Sequence, residues 1–304
     1  MRSSQTLWFM MTFRHRRQTG RRNAHRALAA LLAVLAAGPA FAGGTAVTLS
    51  LETTRDSLDV ADYQGALQLE LPSGVTLDLA GGITDYSGSD LRYADTGNLA
   101  LGFTTPRERP FALGLSWETW GAKEIYTTDT LTLDLMASTP RWELRASPAW
   151  LDIELTGRAL LPGRPPPRVR TGAVALELAA TWYGWDRWAL AMAAARWDYD
   201  ADVTRLSGRR AQLFLSNQAL GYGYGLADRQ LHASLDRETA FGLAGVAWTR
   251  TRSAVDGSRW DTLSLRLDWD VSESVTFYGE AGRVDAGGGG EDAAFATLGV
   301  SLRG

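Results

Sequence analysis

The sequence predicts an all-β protein. The expected fold is a transmembrane antiparallel up-and-down β-barrel of about 14 strands, within roughly 12–16, behind a cleaved signal peptide. Three observations predict it. Apolar and polar residues alternate with a period of two through most of the chain, the pattern of a strand with one oily and one polar face. Tight turns alternate with longer, more acidic loops. The tryptophans, Trp8 excepted, gather at strand ends or near turns.

The first segment is an export leader. Residues 1–26 carry seven arginines and no acid, and residues 27–37 are an unbroken apolar run. Gly38-Pro39 breaks that run, and Ala40-Phe41-Ala42 has the small-x-small form of a cleavage site. The run is well short of the ~20 residues a spanning helix needs. Residues 1–42 are therefore expected to be removed, leaving 43–304 as the barrel. The 31 basic residues less the leader's seven leave 24 against 34 acids. A mature charge of about −10 argues against nucleic acid, whose binders concentrate positive charge. The absence of cysteine excludes a disulfide framework, a thiolate metal site and a cysteine nucleophile.

The strands follow in order. Val47, Leu49 and Leu51 alternate with Thr48, Ser50 and Glu52, then an acidic loop occupies 55–62. Leu67, Leu69 and Leu71 lead into Pro72-Ser73-Gly74, residues that supply a tight turn's dihedral angles. Val75, Leu77 and Leu79 lead to a second polar loop at 84–96. Leu99, Leu101 and Phe103 form the next strand, and Phe111, Leu113, Leu115 and Trp117 the one after it. Leu131, Leu133 and Leu135 end at the turn Ser138-Thr139-Pro140. Trp142, Leu144 and Ala146 hold one phase while Leu151, Ile153 and Leu155 hold the other, so a break is expected near 147–150. A proline-rich connection covers 161–170, and Val174, Leu176 and Leu178 resume the pattern. A turn at 183–187 separates Trp182 from Trp188, which opens the strand 188–199.

Residues 209–226 fit neither template well. Leu231, Ala233 and Leu235 alternate with His232, Ser234 and Asp236, and residues 241–252 follow. The clearest hairpin is 261–283: Leu263, Leu265, Leu267 and Trp269 on one face, a polar turn, then Val275, Phe277, Gly279 and Ala281. A glycine-rich acidic loop, 285–292, leads to the last strand, with Ala296, Leu298, Val300 and Leu302 on one face. Fourteen strands result if 141–156 is one strand and 209–218 does not span.

Alternation alone does not say which face meets solvent, because a soluble sandwich alternates too. The polar face decides. It carries ionised groups in mid-strand: Asp78, Asp134, Glu143, Arg145, Glu154, Glu177, Arg196, Arg266, Asp268 and Glu280. A water-filled lumen tolerates that mixture, whereas a closed core does not. Trp117, Trp120, Trp142, Trp182, Trp188, Trp248 and Trp269 are assigned to the lipid interface, where rings with one polar tip collect.

On these features the chain resembles bacterial outer-membrane β-barrels of the porin type, over essentially all of 43–304. The resemblance rests on pattern and does not resolve a family. It implies an outer-membrane protein, with no cofactor, no metal and no catalysis, acting as a passive channel for small solutes. It also implies contact with outer-membrane lipid and lipopolysaccharide. The segment Phe295 to Gly304 looks like the C-terminal strand that the barrel-assembly machinery reads, although it ends in Gly304 rather than an aromatic residue. A barrel with a structural or assembly role in an export system is the alternative. A third reading comes from His232-Ala233-Ser234, which is similar to the His-x-Ser pair of outer-membrane phospholipase A and the lipid A deacylase, with His as base and Ser as nucleophile. Leu235 stands where those families carry Asn, and a polar lumen histidine is the favoured reading. The loop 285–292 lacks a defined calcium-ligand spacing and reads as solvated.

Overall fold

The computed structural model describes residues 45–304 apart from 59, 86–95, 107–109, 123–124, 158–165, 167, 208–225 and 288–291. The leader, most of the loops at 84–96 and 161–170, and the segment 209–218 lie outside the described residues. The strands are β1 (Ala46–Asp56), β2 (Ala61–Glu70), β3 (Thr76–Asp85), β4 (Thr96–Thr104), β5 (Phe111–Ala122), β6 (Tyr126–Ser138) and β7 (Trp142–Thr156). They continue as β8 (Arg168–Trp185), β9 (Trp188–Tyr199), β10 (Ala227–Thr239), β11 (Gly242–Ser253), β12 (Arg259–Ser272), β13 (Val275–Gly287) and β14 (Ala293–Arg303). Each pairs antiparallel with its neighbours in sequence, and β14 pairs with β1, giving a closed fourteen-stranded up-and-down barrel. Closure leaves no free edge.

The start of β1 and the last residue, Gly304, lie at one rim, where the Val47 N–H donates to the Gly304 carbonyl at 3.0 Å. The turns there are short: Pro72-Ser73-Gly74, with Gly74 at φ 77°, and the links at 139–141, 186–187, 240–241 and 273–274. The opposite rim carries the longer links, 86–95, 157–167 and 200–226.

Directly opposed residues of paired strands share a face, so the register carries one phase around the barrel. It runs unbroken through β7, where the sequence suggests a break. Glu143, Arg145, Ser147, Ala149, Leu151, Ile153 and Leu155 all take the inward phase. What lapses at Ser147-Pro148 is the pairing with β6, between Leu135↔Ala146 and Thr132↔Ala149. Proline has no N–H to donate to a ladder. The Ser147 hydroxyl bridges the lapse by donating to Asp134 Oδ1 of β6, 2.5 Å away.

Leu151, Ile153 and Leu155 are apolar for a different reason from the outer leucines. Under the long-link rim they join Ala122, Tyr126, Val203, Leu206 and Val255 in a buried cluster. A 3-10 helix over Val203–Ser207 brings Val203 and Leu206 into it. Trp120 packs on the same cluster, edge-on to Tyr126 with ring centroids 4.6 Å apart.

The seam between first and last strands has its own tie. Tyr278 of β13 lies over Gly299 of β14, its direct partner, and its hydroxyl donates to the Leu51 carbonyl of β1 at 3.2 Å. A Cβ on Gly299 would fall 2.1 Å from the Tyr278 ring. Gly299→Val is therefore expected to lower the denaturation midpoint, costing about 1–3 kcal/mol through overpacking. Tyr278→Phe, which loses only the hydrogen bond, should cost about 0.5–1.5 kcal/mol. Unfolding of the detergent-solubilised barrel checks both.

Candidate functional site

The two faces of the wall are chemically opposite. Leu77, Leu79, Leu99, Leu101, Leu113, Leu131, Leu144, Leu176, Leu178, Leu231, Leu263, Leu265, Leu267 and Leu298 all point out and are exposed, Leu265 by 67% and Leu298 by 68%. Aromatic rings flank them. Phe111, Trp142, Trp185, Trp269 and Phe277 lie toward the short-turn rim, and Tyr63, Trp117 and Trp150 toward the long-link rim. Along β7, Trp142 and Trp150 stand eight residues apart, which at ~3.3 Å per residue and a tilt of ~40° spans about 20 Å of depth. An apolar belt of this height on a closed wall is stable only against hydrocarbon. The chain is a transmembrane β-barrel. Short turns on the rim with the termini and longer links opposite are the build of bacterial outer-membrane barrels, and the outer membrane is where this one resides.

Trp182, Trp188 and Trp248 also take the outward phase. The Arg237 guanidinium stacks 5.2 Å over the Trp188 ring. Arg250 does the same over Trp248, whose indole N–H reaches Asp261 Oδ1 at 3.0 Å. These are the apolar bodies and polar tips that an interface selects. Trp120 departs from the interface assignment. Its position opposite Asn98 turns it inward, into the cluster described above.

The inward face is the candidate site. Asp78, Asp134, Glu143, Arg145, Glu177, Arg266, Asp268 and Glu280 lie on it. Arg196 does not. It is exposed on the outer face, opposite Leu176. Glu154 is outward as well, paired with Arg168 at 2.9 Å. Sequence reasoning missed the inward carboxylates Glu52, Asp62, Glu118 and Asp236. Each alternates with outward residues of its own strand, so phase alone was enough to find them.

The inward groups form local networks. Asp62 accepts from Gln64 Nε2 at 2.9 Å and from Thr84 Oγ1 at 2.7 Å, and Gln64 Oε1 accepts from Asn98 at 3.2 Å. Gln68 donates to Asp78 at 2.8 Å. Arg145 pairs with Glu177. Arg266 stands directly opposite Glu280 and 3.4 Å from Asp268. On its other side Gly245 faces it, and the carboxylate of Asp236 leans over that glycine, so that a Cβ there would fall 2.0 Å from Asp236 Oδ1. One guanidinium thus sits among Asp236, Asp268 and Glu280. Among the described residues the inward carboxylates outnumber the inward arginines Arg145, Arg266 and Arg303 several-fold.

His232 and Ser234 both face inward but form no nucleophile–base pair. The Ser234 hydroxyl donates to Asp236 Oδ2 at 3.1 Å. His232 Nδ1 contacts Thr249 Oγ1 at 2.9 Å, and its Nε2 has no hydrogen-bond partner. A serine that gives its proton to a carboxylate on its own strand is not activated by the imidazole. Among the described residues no cluster of three or more potential ligands is placed to hold a metal ion.

No family model matches the chain, and no curated protein matches it. Solved structures similar to it include three bacterial proteins. OccK8 (OprE) of Pseudomonas aeruginosa is 10% identical with a TM-score of 0.42, over 85% of this chain and 97% of that one. The outer membrane protein opdK of the same organism is 11% identical at 0.43, over 85% and 98%. A loop-deletion mutant of OmpT, an outer membrane protein of Vibrio cholerae, is 7% identical at 0.47, over 86% and 98%. At these values the class of the chain rests on its own register and its own outer face.

Proposed function

We propose that the protein is a porin-like passive channel for small solutes and that its lumen favours cations. The observation that carries this is the acidic inner wall of a fourteen-stranded barrel. A circular barrel of that strand number, spaced ~4.8 Å and tilted ~40°, measures about 28 Å between backbone walls. Side chains fill barrels of about eight strands, whereas those of roughly 16–18 hold a water channel. Ionised side chains on such a wall require water, and water there gives solutes a path. Carboxylate rings in pores concentrate cations and repel anions. The apolar cluster on Ile153 and Val203 is buried under the long-link rim and narrows the lumen on that side.

Entry into the membrane fits the same reading. β14 closes the barrel against β1 from Thr48↔Arg303 to Asp56↔Phe295, and it is the proposed signal for the barrel-assembly machinery. The test is a planar bilayer with a tenfold potassium chloride gradient. The expected result is stepwise conductance with a reversal potential of the sign for cation preference. Bilayers that conduct equally with and without the purified protein would overturn the proposal.

A further inference from the structure

The outer face carries an unusual row of charge at the long-link rim. Arg196 of β9 stands directly opposite Arg229 of β10, Arg229 opposite Arg252 of β11, and Arg252 opposite Arg259 of β12. Neighbouring strands are ~4.8 Å apart, so four guanidiniums are anchored within about 15 Å. Like charges directly opposed across strands destabilise a sheet, and the row has little to offset them. Arg229 lies 3.0 Å from Asp228, and Arg252 lies 4.0 Å from that same carboxylate. Arg196 and Arg259 have no carboxylate partner among the described residues, and Asp198, two residues beyond Arg196 on the outer face, pairs with neither. Other outward arginines of this rim are matched one to one: Arg168 with Glu154, Arg170 with Asp152, Arg250 with Asp261 and Arg283 with Asp292.

A second feature adjoins the row on its membrane side. The outer face from β5 to β11 holds an apolar groove of about 880 Å³. Ala146, Ala180, Ala194 and Ala233 form its floor, and Met192, Leu231 and Trp248 are among its flanks. Leu231 is two residues from Arg229 and Ala194 two from Arg196, so groove and row are continuous along β9 and β10.

We propose that row and groove together bind the phosphorylated, multi-acylated glycolipid that anchors lipopolysaccharide, with phosphate on the four arginines and an acyl chain along the alanine floor. Arginine suits phosphate because its planar fork donates two parallel hydrogen bonds. The alanines leave room that leucines would fill. The rim opposite the chain termini faces the outer leaflet, where such a lipid lies. The site is on the outside of the wall and is independent of whether the lumen conducts.

The experiment uses the purified full-length barrel in mild detergent, titrated with a bisphosphorylated multi-acylated glycolipid and read by native mass spectrometry. The same glycolipid stripped of phosphate, and inorganic phosphate alone, are the comparison probes. The fourfold variant Arg196→Gln/Arg229→Gln/Arg252→Gln/Arg259→Gln is expected to bind the phosphorylated lipid at least about tenfold more weakly. Arg168→Gln/Arg170→Gln is expected to bind like the parent. Ala194→Trp/Ala233→Trp, which fills the groove, should weaken the lipid and leave conductance unchanged. Without lipid the fourfold variant should melt no lower than the parent, because its repulsion is relieved. With lipid the order should reverse.

Equal affinity of parent and fourfold variant would overturn the proposal. So would equal affinity for the two glycolipids, or displacement of the lipid by inorganic phosphate at similar concentration, which would mark a simple anion site. If the fourfold variant does not fold, as judged by the absence of a change in apparent mass on boiling, Arg196→Gln/Arg259→Gln, which keeps both Asp228 contacts, is read by the same criteria.

Discussion

Leu265→Arg is expected to destabilise the barrel by ~2–4 kcal/mol, the cost of arginine on the lipid face near mid-depth of a transmembrane barrel. Leu265 lies near the centre of β12, outward and 67% exposed. An exposed leucine of a soluble protein would accept the change within ~0.5 kcal/mol, so the size of the effect reports what the outer face touches. The matched control is Thr130→Arg. Thr130 faces inward between Glu118 and Leu151, and a guanidinium there can pair with the Glu118 carboxylate. It should shift stability by less than about 1 kcal/mol. Urea unfolding in lipid vesicles measures both, and equal effects would contradict the assignment of faces.

The second large effect is on selectivity. Asp236→Asn/Asp268→Asn/Glu280→Gln removes the carboxylates around Arg266 and leaves that guanidinium as the local charge. A monovalent ion 5 Å from one charge in water-like surroundings gains about 0.8 kcal/mol, which is about fourfold in local concentration. Losing three charges is expected to lower the cation-to-anion permeability ratio several-fold without inverting it, because Glu52, Asp62, Asp78, Glu118, Asp134, Glu143 and Glu177 remain on the inner wall. Single-channel reversal potentials provide the measurement. A variant that folds and keeps the parent's ratio would show that ions do not pass this wall.

Most of the fold was legible because its rule is local. On β3, β4, β5, β12 and β14 the lipid side takes every second residue, and alternation from Leu77 to Leu79 or Leu263 to Trp269 gives the phase directly. The strand number followed once 142–156 was taken as one strand.

The departures occur where apolar residues stand inside as well as out. On β7 the change from Trp142, Leu144 and Ala146 to Leu151, Ile153 and Leu155 looks like a slipped phase. It is a change in what the inner face packs against, from lumen to the Val203–Ser207 helix. The opposite phase held the clue. Asp152 and Glu154 alternate with those residues and find Arg170 and Arg168 across the hairpin, so the charged side there is the outer one, above the membrane.

Arg196 was misplaced because the large residues change face along β9: Trp188, Leu190 and Met192 point out, whereas Trp197 and Tyr199, on either side of the outward Asp198, point in. Trp117 and Trp120 are three apart and take opposite faces of one strand, so both could not have reached lipid. The arginine row was invisible for another reason. Arg252 and Arg259 flank one short hairpin, but Arg196 and Arg229 are more than twenty residues from their neighbours in the row and join it only through register.

Heat-modifiability on a gel, with protein taken from the outer-membrane fraction, tests the central claim most directly. A closed barrel with its oily face toward lipid should stay folded in cold detergent and change apparent mass on boiling, because no free edge is available to unzip it. The account predicts that shift, in the membrane fraction. A soluble protein running at one mass before and after boiling would contradict it, and would mean that the leucines of β3 to β14 are buried against something other than lipid.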